Sequence, residues 1–278
     1  MRVTFLDSDG VTTRILHDGE NRSPLILVHG LGTSAERWCR TIGPLSDSFS
    51  VYAPDLLNSG FSSNIAFKET PPQLAHCRQL RGMCEALKIS NAVFVGSSYG
   101  GLVVTLLALE SPELVRKLVV VGSGSALHPP DEQQSSLRAA RENGLRALHA
   151  GGIHALRQRM ANIVFDPASV SEESLPVLLT ANALPGRAKA INDLYDSLIG
   201  SSAAASAQVF HRLEQIQQPT LIITGRNDPR ANWARAEEAA RRISHCRLII
   251  YDECGHAPMQ EHPHRFNVDL RTFLAEDC

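Results

Sequence analysis

The sequence predicts an α/β fold: a mostly parallel sheet with helices on both faces and a helical segment inserted into it. Three observations lead there. Short apolar runs near residues 25–28, 51–53, 92–95, 117–121, 220–224 and 247–251 alternate with helix-patterned stretches, the rhythm of repeated βα units. That rhythm stops between Gly122 and Pro219, where helix-patterned pieces follow one another with no strand-like run. Finally, Ala92-Val93-Phe94-Val95 passes directly into Gly96-Ser97-Ser98-Tyr99-Gly100 and then into an apolar helix.

Taken in order, Val3 to Leu6 and Val11 to Leu16 alternate well enough for an antiparallel hairpin, with Ser8-Asp9-Gly10 as its turn. The strands then follow one by one to Val121. In the break, helical pieces are expected near 131–149, 153–163, 171–182, 186–199 and 206–215, several of them separated by Gly151-Gly152, Asp166-Pro167 and Pro185-Gly186. Leu137, Ala140, Leu145 and Leu148 recur at helical spacing in the first. This block, 123–218, is read as a helical cap over a core made of 1–122 and 219–278. Ser201 to Ala207 is biased to small residues and suits either a hinge or a weakly held cap helix.

Composition narrows the class. The chain has 278 residues, 43% of them hydrophobic, and a net charge of −2, enough for one large core and no polycationic surface for nucleic acid. The N-terminus has no long apolar stretch, and no run approaches the ~18–20 apolar residues that cross a bilayer. The six cysteines form neither CxxC pairs nor a regular framework, so a reducing cytoplasm is the expected compartment. Cys77 and Cys84 read as packing residues, and Cys254 as a thiol near the site. A small-molecule substrate is the expected partner, with no nucleic acid and no membrane; a homodimer stays open.

The chemistry centres on Ser98. A serine lifted from a strand-to-helix turn needs neighbours without a Cβ, which Gly96 and Gly100 supply. Such a nucleophile needs a base and an orienting carboxylate. Pro219 to Thr224 reads as a strand followed by Gly225-Arg226-Asn227-Asp228-Pro229, and Arg247 to Tyr251 as another followed by Asp252-Glu253-Cys254-Gly255-His256. Asp228 and His256 thus lie in loops at the edge of the sheet where Ser98 stands and where open parallel sheets bind ligands. Glu253 is the second candidate for the acid. His256, His262 and His264 lack the companion ligands and spacing of a metal site, so no metal and no cofactor are expected.

With these residues the chain resembles the α/β-hydrolase superfamily over nearly its whole length. Further matches are His29-Gly30-Leu31-Gly32 after Leu25 to Val28, and Asp55 to Ser62 after Val51 to Ala53. The resemblance implies a Ser98–Asp228–His256 triad and an oxyanion hole from the backbone N–H groups of Leu31 and Tyr99. His29 and Gly30 then support the oxyanion turn, and Asp55 stabilises its own turn. Among capped members, the meta-cleavage product hydrolases are similar in length and triad spacing, but usually carry Gly-Asn-Ser at the elbow and Trp after the histidine. Here those positions are Ser97 and Ala257. The cap carries eight Arg or Lys against nine Asp or Glu between Ser123 and Gln217, so no strongly charged pocket is expected. The expected function is therefore hydrolysis of a carboxylic ester of a small, neutral, moderately apolar substrate through an acyl-enzyme. Alternatives are C–C hydrolysis of a vinylogous diketone, lactone hydrolysis, and a ligand-binding receptor without catalysis.

Overall fold

In the computed structural model, which describes residues 1–68, 70–200 and 207–276, eight strands form one sheet. They are β1 (Arg2–Ser8), β2 (Val11–Asp18), β3 (Ser23–Val28), β4 (Phe49–Pro54), β5 (Ala92–Ser97), β6 (Val115–Val121), β7 (Thr220–Gly225) and β8 (Cys246–Tyr251). The order across the sheet is β1-β2-β4-β3-β5-β6-β7-β8. β1 and β2 pair antiparallel about a turn in which Asp9 and Gly10 both take positive φ (52° and 76°), as a two-residue hairpin with right-handed twist requires. β2 is also antiparallel to β4, and every later pairing is parallel.

The central strands are buried on both faces, which is why they read as unbroken apolar runs. One face carries α2 (Pro72–Ala86) and α3 (Tyr99–Glu110), packed on Ile26, Phe94, Leu118 and Ile222; the other carries α1 (Cys39–Ser46) and α11 (Pro263–Ala275), packed on Leu25, Val93, Val119 and Leu221. The alternation of neighbours such as Val93 and Phe94 between the two clusters follows from the two-residue period of a strand.

Between β6 and β7 lie α4 (Gly124–Leu127), α5 (Pro130–Ala150), α6 (Gly152–Ala161), α7 (Leu175–Asn182) and α8 (Arg187–Gly200). The piece expected near 206–215 is a 3-10 stretch over Phe210–Gln215 rather than an α-helix, and most of the small-residue segment 201–207 lies outside the described residues. α4 was not expected; four residues are too few to show a period. α9 (Trp233–Arg242) and the short α10 (Pro258–Glu261) complete the helices. Among the described residues no helix is long and apolar enough to cross a membrane.

Candidate active site

Ser98 stands between β5 and α3 with φ 54° and ψ −121°, a left-handed conformation that costs a non-glycine residue about 1–3 kcal/mol. The surroundings hold it there. Its N–H donates to the Val121 carbonyl (2.8 Å), and its own carbonyl accepts from the Ser123 and Ser125 hydroxyls (2.5 and 3.2 Å). A Cβ at Gly96 would collide with the backbone of Gly100, and one at Gly100 with the carbonyls of Val28 and His29. The crowding of Gly100 therefore comes from the end of β3 and not from the elbow alone.

His256 and Asp228 come together from the loops after β8 and β7. The His256 Nδ1 lies 2.9 and 2.8 Å from the two carboxylate oxygens of Asp228, whose side chain is fully buried. Asp228 Oδ1 also accepts the backbone N–H groups of Arg230 (2.7 Å) and Ala231 (3.0 Å), so the carboxylate is fixed before the ring is placed. Ser98 and His256 line one pocket. Among the described residues no hydrogen bond links their side chains, a contact that commonly tightens only in the substrate complex. The second candidate acid does not reach the ring: Glu253 is exposed and offers only its carbonyl to His262, while Asp252 pairs with Arg226. His262 packs edge-on against Tyr251, and among the described residues no group of three or more His, Cys, Asp or Glu is arranged around a metal position.

Leu31, Gly30 and Tyr99 line the same pocket. The turn bearing Leu31 is braced by His29, whose Nε2 accepts the Leu56 N–H (2.9 Å) and whose Nδ1–H donates to the Gly30 carbonyl (2.8 Å). That pattern requires the neutral ring, and complete burial pushes its pKa down accordingly. Asp55 is busier than a self-contained turn needs: it accepts the N–H groups of Ala35 and Phe61 and the Arg14 guanidinium. Tyr99, the first residue of α3, donates its hydroxyl to His76 Nδ1 (2.8 Å), and His76 Nε2–H donates to the Leu57 carbonyl (3.2 Å). Burial takes the pKa of His76 down to about 3, so it stays the neutral acceptor this contact needs.

The pocket is not the neutral one expected from the balanced cap. Arg37, Arg159 and Arg230 line it and no Asp or Glu does. Acidic residues of the segment between β6 and β7 are spent outward, in the pairs Arg141–Asp196, Arg146–Glu142, Arg157–Glu172 and Lys189–Asp193. Arg159, from α6, turns inward and donates to the carbonyls of Leu31 (2.9 Å) and Gly32. Arg37 is fully buried, which lowers its pKa to about 10. It donates to Gln260 Oε1 (2.8 Å), while Arg230 donates to the Ser136 carbonyl (3.3 Å). A charge count cannot see facing, so these residues carried no signal in the sequence.

Cys254 also departs from expectation. It is two residues from His256 but completely buried, and burial pushes its thiol pKa up, so it is not a reactive thiol. Ala257 is equally buried, in the core against α11, and does not line the pocket.

The strand-to-helix elbow, the carboxylate–imidazole pair after β7 and β8 and the glycine turn after β3 define a hydrolase of α/β type. The model of the alpha/beta hydrolase family matches residues 25–269, and the chain belongs to that family. It is similar to the 2-hydroxymuconate semialdehyde hydrolase of Pseudomonas sp. strain CF600, at 28% identity over 96% of this chain and 92% of that one. It is also similar to a 2-hydroxy-6-oxononadienedioate/2-hydroxy-6-oxononatrienedioate hydrolase of Pseudomonas putida, at 30% identity over 92% and 89%. Its fold matches that of the 2-hydroxy-6-oxo-6-phenylhexa-2,4-dienoate hydrolase of Rhodococcus sp. strain RHA1, with a TM-score of 0.81 at 21% identity over 99% and 100% of the chains. The two relatives similar in sequence overturn the ester reading: one is named for a muconate semialdehyde and the other for oxononadienedioic and oxononatrienedioic acids, and neither for an ester. Of the two departures from the meta-cleavage pattern, Ala257 is a packing residue outside the pocket, whereas Ser97 lines it.

Proposed function

We propose that this protein hydrolyses a carbon–carbon bond of a 2-hydroxy-6-oxo-2,4-dienoic acid, a vinylogous 1,5-diketone in its keto form. The observation that carries the reading is the likeness, over almost the whole chain, to hydrolases named for such compounds. In this reading residues 123–218 are the cap over a core of 1–122 and 219–278. Ser98, Asp228 and His256 are the catalytic set.

The chemistry suits the arrangement. In the 2,6-dioxo tautomer the Ser98 hydroxyl adds to the C6 carbonyl while His256 Nε2 takes its proton, and Asp228 holds the Nδ1–H tautomer and stabilises the resulting cation. The backbone N–H groups of Leu31 and Tyr99 receive the C6 oxyanion, each such donor being worth about 3–4 kcal/mol in the transition state. Tyr99 opens α3, so its N–H sits at the positive end of the helix dipole. The C5–C6 bond then breaks with its electron pair delocalised through C3=C4 onto the C2 oxygen, which takes up a proton to give a 2-hydroxydienoate. Water, deprotonated by His256, releases the acid from Ser98. One water is consumed overall, and the electron sink is the substrate's own conjugated carbonyl.

The test is to supply 2-hydroxymuconate semialdehyde and 2-hydroxy-6-oxonona-2,4-diene-1,9-dioate, follow loss of the dienolate absorbance, and identify 2-hydroxypenta-2,4-dienoate by NMR. Wild type should bleach the chromophore and release that product, and Ser98→Ala should not. A chromophore that survives stoichiometric wild-type enzyme would overturn the reading.

A further inference from the structure

α6 ends beside the proposed catalytic set, and the stretch from Arg159 to Phe165 touches both the oxyanion turn and the histidine loop. The direction of the Leu31 N–H depends on the peptide planes around it. A peptide unit is planar and trans, so the Gly30 carbonyl and the Leu31 N–H point opposite ways, and fixing one aims the other. From the core side the Gly30 carbonyl accepts from His29 Nδ1 (2.8 Å) and from the Thr33 hydroxyl (2.9 Å). The next two planes are held from the side of the inserted helices. Arg159 Nη2 donates to the Leu31 carbonyl (2.9 Å), and Nη1 donates to the Gly32 carbonyl. Gly32 takes φ 62°, and a Cβ there would fall on the Arg159 guanidinium, so the turn leaves room for the fork of donors.

The same stretch then grips His256. The His256 N–H donates to the Ile163 carbonyl (2.8 Å). On either side of it, Gly255 and Ala257 donate their N–H groups to the Glu261 carboxylate (2.8 and 2.9 Å), which also accepts the N–H of Phe165 (2.7 Å). A Cβ at Gly255 would collide with the backbone of Ile163, Val164 and Phe165, so the two segments run in direct contact. Val164 packs both on the cluster of the inserted helices around Met160 and Leu175 and on the sheet-face cluster around Phe266. Swinging the end of α6 away would break these bonds together and strand backbone groups that are costly to leave unpaired.

We propose that residues 159–165 are a clamp that holds the oxyanion turn and His256 in one register, with Arg159 as a positioning residue for the Leu31 N–H. At this end the inserted segment is a fixed part of the catalytic machinery and does not swing clear during turnover. The inference rests on the proposed function only for the roles of Ser98, Leu31 and His256, and not for the identity of the bond that breaks.

Phosphonylation of Ser98 by a neutral alkyl fluorophosphonate, followed by intact-mass spectrometry, tests it without the dienoic substrate. Ser98 Oγ bonds to phosphorus, fluoride leaves, His256 takes the hydroxyl proton, and the phosphonyl oxygen occupies the place of the oxyanion. Measured per folded molecule, Arg159→Met should react at least about tenfold more slowly than wild type, part of the roughly 10²–10³-fold lost when an oxyanion donor is removed outright. Arg159→Lys, which keeps a donor for one carbonyl, should recover some of that rate. An arginine with a structural role alone would lower the melting temperature and leave the rate per folded molecule unchanged, and that result would overturn the proposal. So would a wild type that the probe does not label at Ser98. Should Arg159→Met fail to fold, amide exchange of the wild type decides: protection of the His256 and Phe165 amides should agree within about tenfold, as parts of one opening unit, and a wider gap would overturn the clamp. Equal labelling of Arg159→Met and wild type leaves the carbon–carbon reading standing. Dienoic substrates that survive while labelling still depends on Arg159 would remove that reading and leave the clamp.

Discussion

Acidification should destabilise this protein through His76, and the size of the effect follows from its surroundings. The ring is completely buried between the Tyr99 hydroxyl and the Leu57 carbonyl, and its pKa falls from 6.5 to about 3. A folded pKa below the unfolded one means that between those values the unfolded state holds the extra proton. Stability is therefore full above pH 6.5 and falls as the pH drops through 6.5, levelling only near 3. The limiting slope is about 1.4 kcal/mol per pH unit, and from pH 7 to pH 5 the integrated loss is about 2 kcal/mol. His29, buried and neutral for its own reasons, adds in the same direction. The assay is urea unfolding followed by far-UV circular dichroism at pH 7, 6 and 5 for wild type and His76→Gln. The variant should start less stable and lose about 2 kcal/mol less over that range. Parallel losses in the two proteins would refute the argument, since they would mean that His76 binds its proton equally in both states.

Two further outcomes are expected. Asp228→Asn should keep the fold but lose about 10⁴-fold in kcat on the dienoic substrate, because an amide that donates to Nδ1 selects the wrong tautomer; a loss below tenfold would remove Asp228 from the catalytic set. Gly100→Ala should destabilise the chain by more than about 1–3 kcal/mol, the range for overpacking a core, since the new Cβ meets the rigid carbonyls of Val28 and His29; an unchanged melting temperature would show that β3 and α3 are not in this contact.

How much was legible in the sequence depended on whether a feature repeats along the chain or arises only across it. Strands such as Leu25 to Val28 and Thr220 to Thr224 stood out because burial on both faces demands an apolar side chain at every position. Asp228 and His256 were legible as partners because consecutive parallel strands deliver their following loops to the same edge. Position along the chain misled at Cys254, where two residues of separation from His256 placed the thiol in the core and not in the pocket. It was silent on Arg37, Arg159 and Arg230, which come from the turn after β3, from α6 and from the loop after β7. Their meeting is a product of how the inserted helices and the sheet pack together. The bracing of Tyr99 by His76 was equally invisible, since nothing local marks a histidine on α2 as the partner of a tyrosine on α3.

The placement of α4 to α8 between β6 and β7 also bears on how the chain folds. β6 and β7 are neighbours in the sheet, yet about a hundred residues separate them. If that connection were still disordered when the strands met, closing it would cost roughly 2 kcal/mol more entropy than closing a ten-residue loop. Helices form in microseconds from local contacts, so the inserted segment can shorten itself before β7 and β8 arrive. The two strands that bring Asp228 and His256 are therefore the ones whose pairing with the rest of the sheet spans that long connection.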